Sequence, residues 1–105
     1  MSDIVNIKNK RILLVGATGI LGRTFATSLA DEGAILALAD LESTDVLSLS
    51  NRLGCVGLSM DVSVEASVIK GVESAFNQLD TIDCLIINAA ATASGLRDQG
   101  DVFSN

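Results

Sequence analysis

At 105 residues, 49% apolar and 19% charged, the chain is long enough for one compact domain and too apolar for a disordered tail. A net charge of −6 with only seven Lys and Arg excludes a surface built for a phosphate backbone, so nucleic acid is not an expected partner. No apolar run reaches the ~18 residues of a membrane span, and Met1-Ser2-Asp3 opens without a basic leader, so a cytoplasmic protein with no membrane partner is expected.

Met1 to Asn9 offers only Ile4, Val5 and Ile7 for packing. Arg11 to Val15 is the first of four short apolar runs; the others are Ala34 to Ala39, Cys55 to Met60 and Ile82 to Ile87. They are near-continuously apolar instead of alternating, which predicts strands buried on both faces. Leu21, Phe25 and Leu29 recur at i, i+4 and i+8, predicting a helix that ends before Gly33 as its C′ residue. Ser43 or Thr44 is the expected N-cap of a shorter helix whose stripe is Val46, Leu49 and Leu53, stopped by Gly54. A third helix is expected behind Ser63, with Val64, Val68, Val72 and Phe76 inward, Lys70, Glu73 and Asn77 outward, and Gly71 as its weak point. From Thr92 to Asn105 the periodicity is lost and a polar loop is expected. No proline or repeat interrupts this order, so residues 1–105 form a single domain.

Strand and helix alternate throughout, which predicts an α/β fold: a parallel sheet with right-handed crossovers and helices on both faces. With four strands the order is 3-2-1-4, and the third helix lies on the face opposite the first two.

The turn from the first strand into the first helix is Gly16-Ala17-Thr18-Gly19-Ile20-Leu21-Gly22. In that position Gly16 permits a tight turn, Gly19 removes a Cβ where a pyrophosphate approaches, and Gly22 lets the helix pack closely on the sheet. The N–H groups of the first helical turn, around Thr18, Ile20 and Leu21, then face the phosphates with the positive end of the helix dipole. There is no Gly-Lys-Ser/Thr, which excludes a Walker-type triphosphatase. Three glycines can also simply relieve crowding at such a turn, but the agreement of four strand and helix signals favours a Rossmann-type dinucleotide site.

Asp40 ends the second strand, 18 residues after Gly22, where an acid accepts bonds from ribose hydroxyls and repels a 2′-phosphate. Leu41 follows it instead of an Arg, and Arg23, one turn into the helix, is expected to be solvated; NAD is therefore preferred over NADP. The plainer role for Asp40 is that of a surface acid capping the next helix. Cys55 and Cys84 lie in apolar runs without Cys-x-x-Cys spacing, and the chain has no His, so two buried core thiols are expected and no metal site.

On these residues the sequence resembles the short-chain dehydrogenase/reductase family. Asp61-Val62 is similar to the family's Asp-Val pair, which the resemblance places on the adenine. Ile87-Asn88-Ala89-Ala90 is similar to its Asn-Asn-Ala-Gly element, which steadies the sheet and lines the adenosine ribose. The likeness covers residues 8 to 91. Val15 stands where the family has Thr, and the glycine spacing is closer to that of the family's extended branch or of its atypical members. The family's reaction uses a Tyr with a Lys four residues on, assisted by Ser and Asn. This chain has no Tyr, and its lysines are Lys8, Lys10 and Lys70. The resemblance thus implies a truncated, N-terminal NAD-binding module of an oxidoreductase, inactive by itself. A non-catalytic dinucleotide sensor or scaffold protein is the alternative, since one fold hosts many functions. The fourth strand is expected to be an exposed edge through which the chain forms a homo-oligomer.

Overall fold

The computed structural model describes residues 6–88. The polar loop expected over 92–105 lies outside them, as do Ala89 and Ala90. Seven elements alternate as expected: β1 (Arg11–Val15), α1 (Ile20–Asp31), β2 (Ile35–Asp40), α2 (Val46–Leu53), β3 (Val56–Ser59), α3 (Glu65–Leu79) and β4 (Cys84–Ile87). The strands form one parallel sheet in the order β3-β2-β1-β4. Its register sets Leu13 of β1 between Ala37 of β2 and Leu85 of β4.

Each face of the sheet carries its own core, because consecutive strand residues point to opposite sides. Ile12, Leu14, Leu36 and Leu38 pack with Ala26 of α1 and with Val46 and Leu49 of α2. Leu13, Val15, Ala37, Ala39 and Leu58 pack on the other side with Met60 and with Ala75 and Leu79 of α3. Leu13, Leu14, Leu36 and Leu38 are fully buried, each contributing about 2 kcal/mol of apolar transfer.

α2 buries the expected stripe, with Val46 and Leu49 in the core and Leu53 packed against it, but α1 and α3 bury different ones. In α1 the buried residues are Gly22 and Ala26, while Leu21 and Phe25 are exposed. The cause is the close approach at the helix start: a Cβ on Gly22 would collide with the Gly16 carbonyl oxygen and stand 2.8 Å from the Ala17 carbonyl. Small residues therefore face the sheet over the first turns and Leu21 and Phe25 turn away, while Leu29, further along, packs against the core as expected. In α3 the inward line is Gly71, Ala75 and Leu79, with Val68 and Val72 at its margin; Val64 and Phe76 are exposed. Gly71 is no weak point, since the Met60 side chain occupies the space its Cβ would take.

The caps differ as well. Asp45 is the N-cap of α2, and Thr44 instead closes a turn onto the Leu41 carbonyl through its N–H (3.0 Å) and hydroxyl (2.6 Å). Val64 is the N-cap of α3, and the Ser63 hydroxyl donates to Asp61. Gly33 (φ +90°) and Gly54 (φ +71°) end α1 and α2 in the left-handed region, as the sequence indicates. β4 is not buried on both faces: it is an edge among the described residues, and Cys84 is exposed. Cys55 precedes β3, half-buried against the α1/α2 core. No helix among the described residues is long and apolar enough to cross a membrane.

Candidate functional site

The carboxyl ends of β1, β2 and β4 converge on the glycine loop. The N–H groups of Gly16 and Ala17 donate to the Ala39 carbonyl (2.8 and 3.2 Å), and that of Asn88 donates to the Val15 carbonyl (2.8 Å). After β1 the chain builds outward through β2 and β3, then returns to the other side of β1 as β4. The loop thus lies at the point where the strand order reverses, the place where open α/β sheets form a ligand crevice.

Gly16 is required by this geometry. Its φ is +83°, and a Cβ would run into the carbonyl oxygen of Asn88. The Asn88 side chain in turn donates from Nδ2 to the Gly16 carbonyl at 3.4 Å, so this residue of the β4 end and the loop brace each other. Gly19, the N-cap of α1, has φ −68° and ψ 170°, a backbone open to any residue. No side chain caps α1, and among the described residues the N–H groups of Ile20, Leu21 and Gly22 have no acceptor. Three donors aligned with a helix axis fit a pyrophosphate without any basic side chain. Ile20 (89% exposed) and Leu21 flank this opening with apolar surface.

Asp40 is only 6% exposed. Its Oδ2 accepts the Thr18 N–H (2.9 Å) and the Thr18 hydroxyl (2.6 Å), and its Oδ1 accepts the Leu41 N–H (2.8 Å). It is therefore not a cap of α2, whose N-cap is Asp45. Instead it ties the end of β2 to the middle of the glycine loop. A carboxylate has about four acceptor positions, so roughly one stays open to a ligand hydroxyl.

Asp61 follows Met60, whose N–H donates to the Asp40 carbonyl at 2.8 Å, so the β3 end abuts the β2 end. The Asp61 carboxylate accepts the Ser63 hydroxyl (2.6 Å) and N–H (3.0 Å), which hold its pKa below the ordinary 3.8. The Asp61 N–H donates to Ser67 Oγ at 2.9 Å, and Val62 beside it is exposed. The fold thus links Gly16, Thr18, Gly22, Asp40 and Asn88 by direct contacts, with Asp61 and Val62 one strand further out.

Sequence reasoning missed Arg23. It is only partly exposed and is held in place: Nε donates to the Thr18 carbonyl at 3.0 Å, and the guanidinium pairs with Asp45. Neither periodicity nor motif spacing marks this pair, which depends on how the turn after β2 folds back towards α1. Among the described residues no three His, Cys, Asp or Glu side chains are grouped to hold a metal ion.

Residues 10–102 match the family model described as short chain dehydrogenase. The chain is 34% identical over 93 residues to 3-hydroxyacyl-CoA dehydrogenase type-2 of Drosophila melanogaster, covering 87% of itself and 36% of that protein. It superposes on an NADH-dependent reductase complexed with NAD with a TM-score of 0.70 at 30% identity, covering 78% of itself and 36% of that chain. The 3-ketoacyl-(acyl-carrier-protein) reductase of Brucella melitensis complexed with NADH gives a TM-score of 0.71 at 26% identity, with coverages of 75% and 34%. The chain spans about a third of the length of these relatives.

Proposed function

The chain belongs to the short-chain dehydrogenase family, and on that premise we propose that it is the NAD-binding module of an oxidoreductase. The observation that carries the reading is the set of N–H groups of Ile20, Leu21 and Gly22, without an acceptor among the described residues, opening at the strand-order reversal beside the buried carboxylate of Asp40. The pyrophosphate would meet those N–H groups, with Gly19 leaving room for it and Gly16 allowing the turn that presents them. Asp40 would accept an adenosine ribose hydroxyl, Asp61 and Val62 would border the adenine, and Asn88, with Ala89 and Ala90 beyond it, would line the ribose side. Bound NAD supplies hydride chemistry; the residues named here bind and orient it. Likeness to NAD- and NADH-bound reductases supports NAD as the dinucleotide, and the proposed preference over NADP rests on the Asp40 carboxylate.

Within its 105 residues the chain has no Tyr, the acid-base group of the family's reaction, so binding without turnover is the activity proposed for it alone. The reading includes self-association along β4, supported by the exposure of Leu85 and Ile87 at the sheet edge.

Calorimetric titration with ADP-ribose and with NAD tests the reading. Similar affinities are expected, because the residues named here address the ADP half, and Gly19→Val should abolish both by placing a branched side chain at the phosphates. No heat with ADP-ribose at millimolar concentration would count against it.

A further inference from the structure

We infer that Asp45 is a specificity-determining residue, which holds the Arg23 guanidinium in an ion pair and so denies the site a cation for a ribose 2′-phosphate. The inference rests on the dinucleotide reading above and concerns which nucleotide that site prefers.

Thr18 is the hinge of the geometry. Its N–H and hydroxyl go to Asp40, while its carbonyl takes the Arg23 Nε–H at 3.0 Å. Arg23 is thereby fixed within one residue of the acid expected to meet the ribose, yet it makes no bond to that acid. One of its remaining donors, an Nη2–H, pairs with Asp45 at the start of α2. The other described cations lie elsewhere. Lys8, Lys10 and Arg11 precede or begin β1 at the opposite end of the sheet, Arg52 is in the last turn of α2, and Lys70 is on α3.

A planar guanidinium beside the ribose end of a dinucleotide site is the group that accommodates a 2′-phosphate, through paired N–H donors. Here that group is present, and its charge is paired with Asp45. Asp45 makes no side-chain bond to the N-terminus of α2, so its carboxylate is not committed to capping that helix. The site therefore combines two acids. Asp40 faces the ribose, and Asp45 neutralises the cation that would otherwise favour the phosphorylated nucleotide.

The test titrates the full chain with ADP-ribose and with 2′-phospho-ADP-ribose and reads the ratio of the two dissociation constants. Asp45→Asn should shift the ratio towards the 2′-phosphate by roughly fivefold, the scale of one partly exposed ion pair. Asp45→Ser, which keeps a favourable N-cap residue, should do the same. Adding Arg23→Ala to either variant should cancel the shift. An unchanged ratio in both single variants, or a shift that persists without Arg23, overturns the inference while leaving dinucleotide binding intact. Failure of the unmodified chain to bind either nucleotide overturns the cofactor reading itself, and this inference with it.

Discussion

Thr18 and Asp40, 22 residues apart, are joined twice: one carboxylate oxygen receives both the backbone N–H and the hydroxyl of Thr18. This acid at the end of β2 therefore shapes the glycine loop before any ligand arrives. Asp40→Ala should leave the Thr18 and Leu41 N–H groups without their acceptor, lowering unfolding free energy by about 3 kcal/mol. Thr18→Val removes only the hydroxyl bond and should cost about 1 kcal/mol. Urea denaturation of both variants checks the order. Because Asp40→Ala also removes the ribose acceptor, it should weaken NAD more than NADP, and equal losses would deny Asp40 that role.

Gly16 and Gly54 both have positive φ but differ in surroundings. At Gly54 a Cβ would meet nothing within 4 Å, so Gly54→Ala should cost about 1 kcal/mol from the left-handed backbone alone. At Gly16 the same strain adds to a collision with the Asn88 carbonyl, and Gly16→Ala should cost about 3–5 kcal/mol. Denaturation midpoints that fall equally in the two variants would contradict the close packing of Asn88 on the loop.

Strand order and the sides taken by the helices were legible because four apolar runs alternating with helical segments admit few right-handed arrangements. The glycine loop was legible because its position between β1 and α1 gives it meaning. The face of α2 was legible too, but those of α1 and α3 were not, because bulk misled: Leu21, Phe25 and Phe76 are large apolar residues, but close approach of helix to sheet selects Gly22, Ala26, Gly71 and Ala75. The Arg23–Asp45 pair escaped notice because it joins two elements through side chains whose spacing carries no period.

Burial raises the Cys55 thiol from its ordinary 9.0 to about 11. Between these values the unfolded thiol ionises while the folded one stays protonated, so stability falls as pH rises through this window. Cys55→Ala should flatten that decline, read as the denaturation midpoint from pH 8 to pH 11 in the two proteins. Cys84 is exposed on β4, and alkylation near neutral pH should label it well before Cys55. Labelling of both thiols at one rate would mean that Cys55 is not held in the fold.

Self-association is expected through β4, and the register says which side chains control it. Ile86 pairs with Leu14 and packs on the α1/α2 core, so changing it would damage the fold as well as the edge. Leu85 and Ile87 lie beside Leu13 and Val15 on the α3 side, but α3 does not cover them: they are 52% and 60% exposed. Two copies meeting edge to edge about a two-fold axis would pair the outer backbone groups of β4 and bring both exposed side chains against their equivalents. Sedimentation of the unmodified chain should therefore show dimers or larger species. Leu85→Lys and Ile87→Lys should each shift the population towards monomer without lowering the unfolding free energy of the monomer by more than about 0.5 kcal/mol, since neither removes a core contact. A strictly monomeric chain at high concentration, or lysine variants that associate as before, would exclude β4 as the contact.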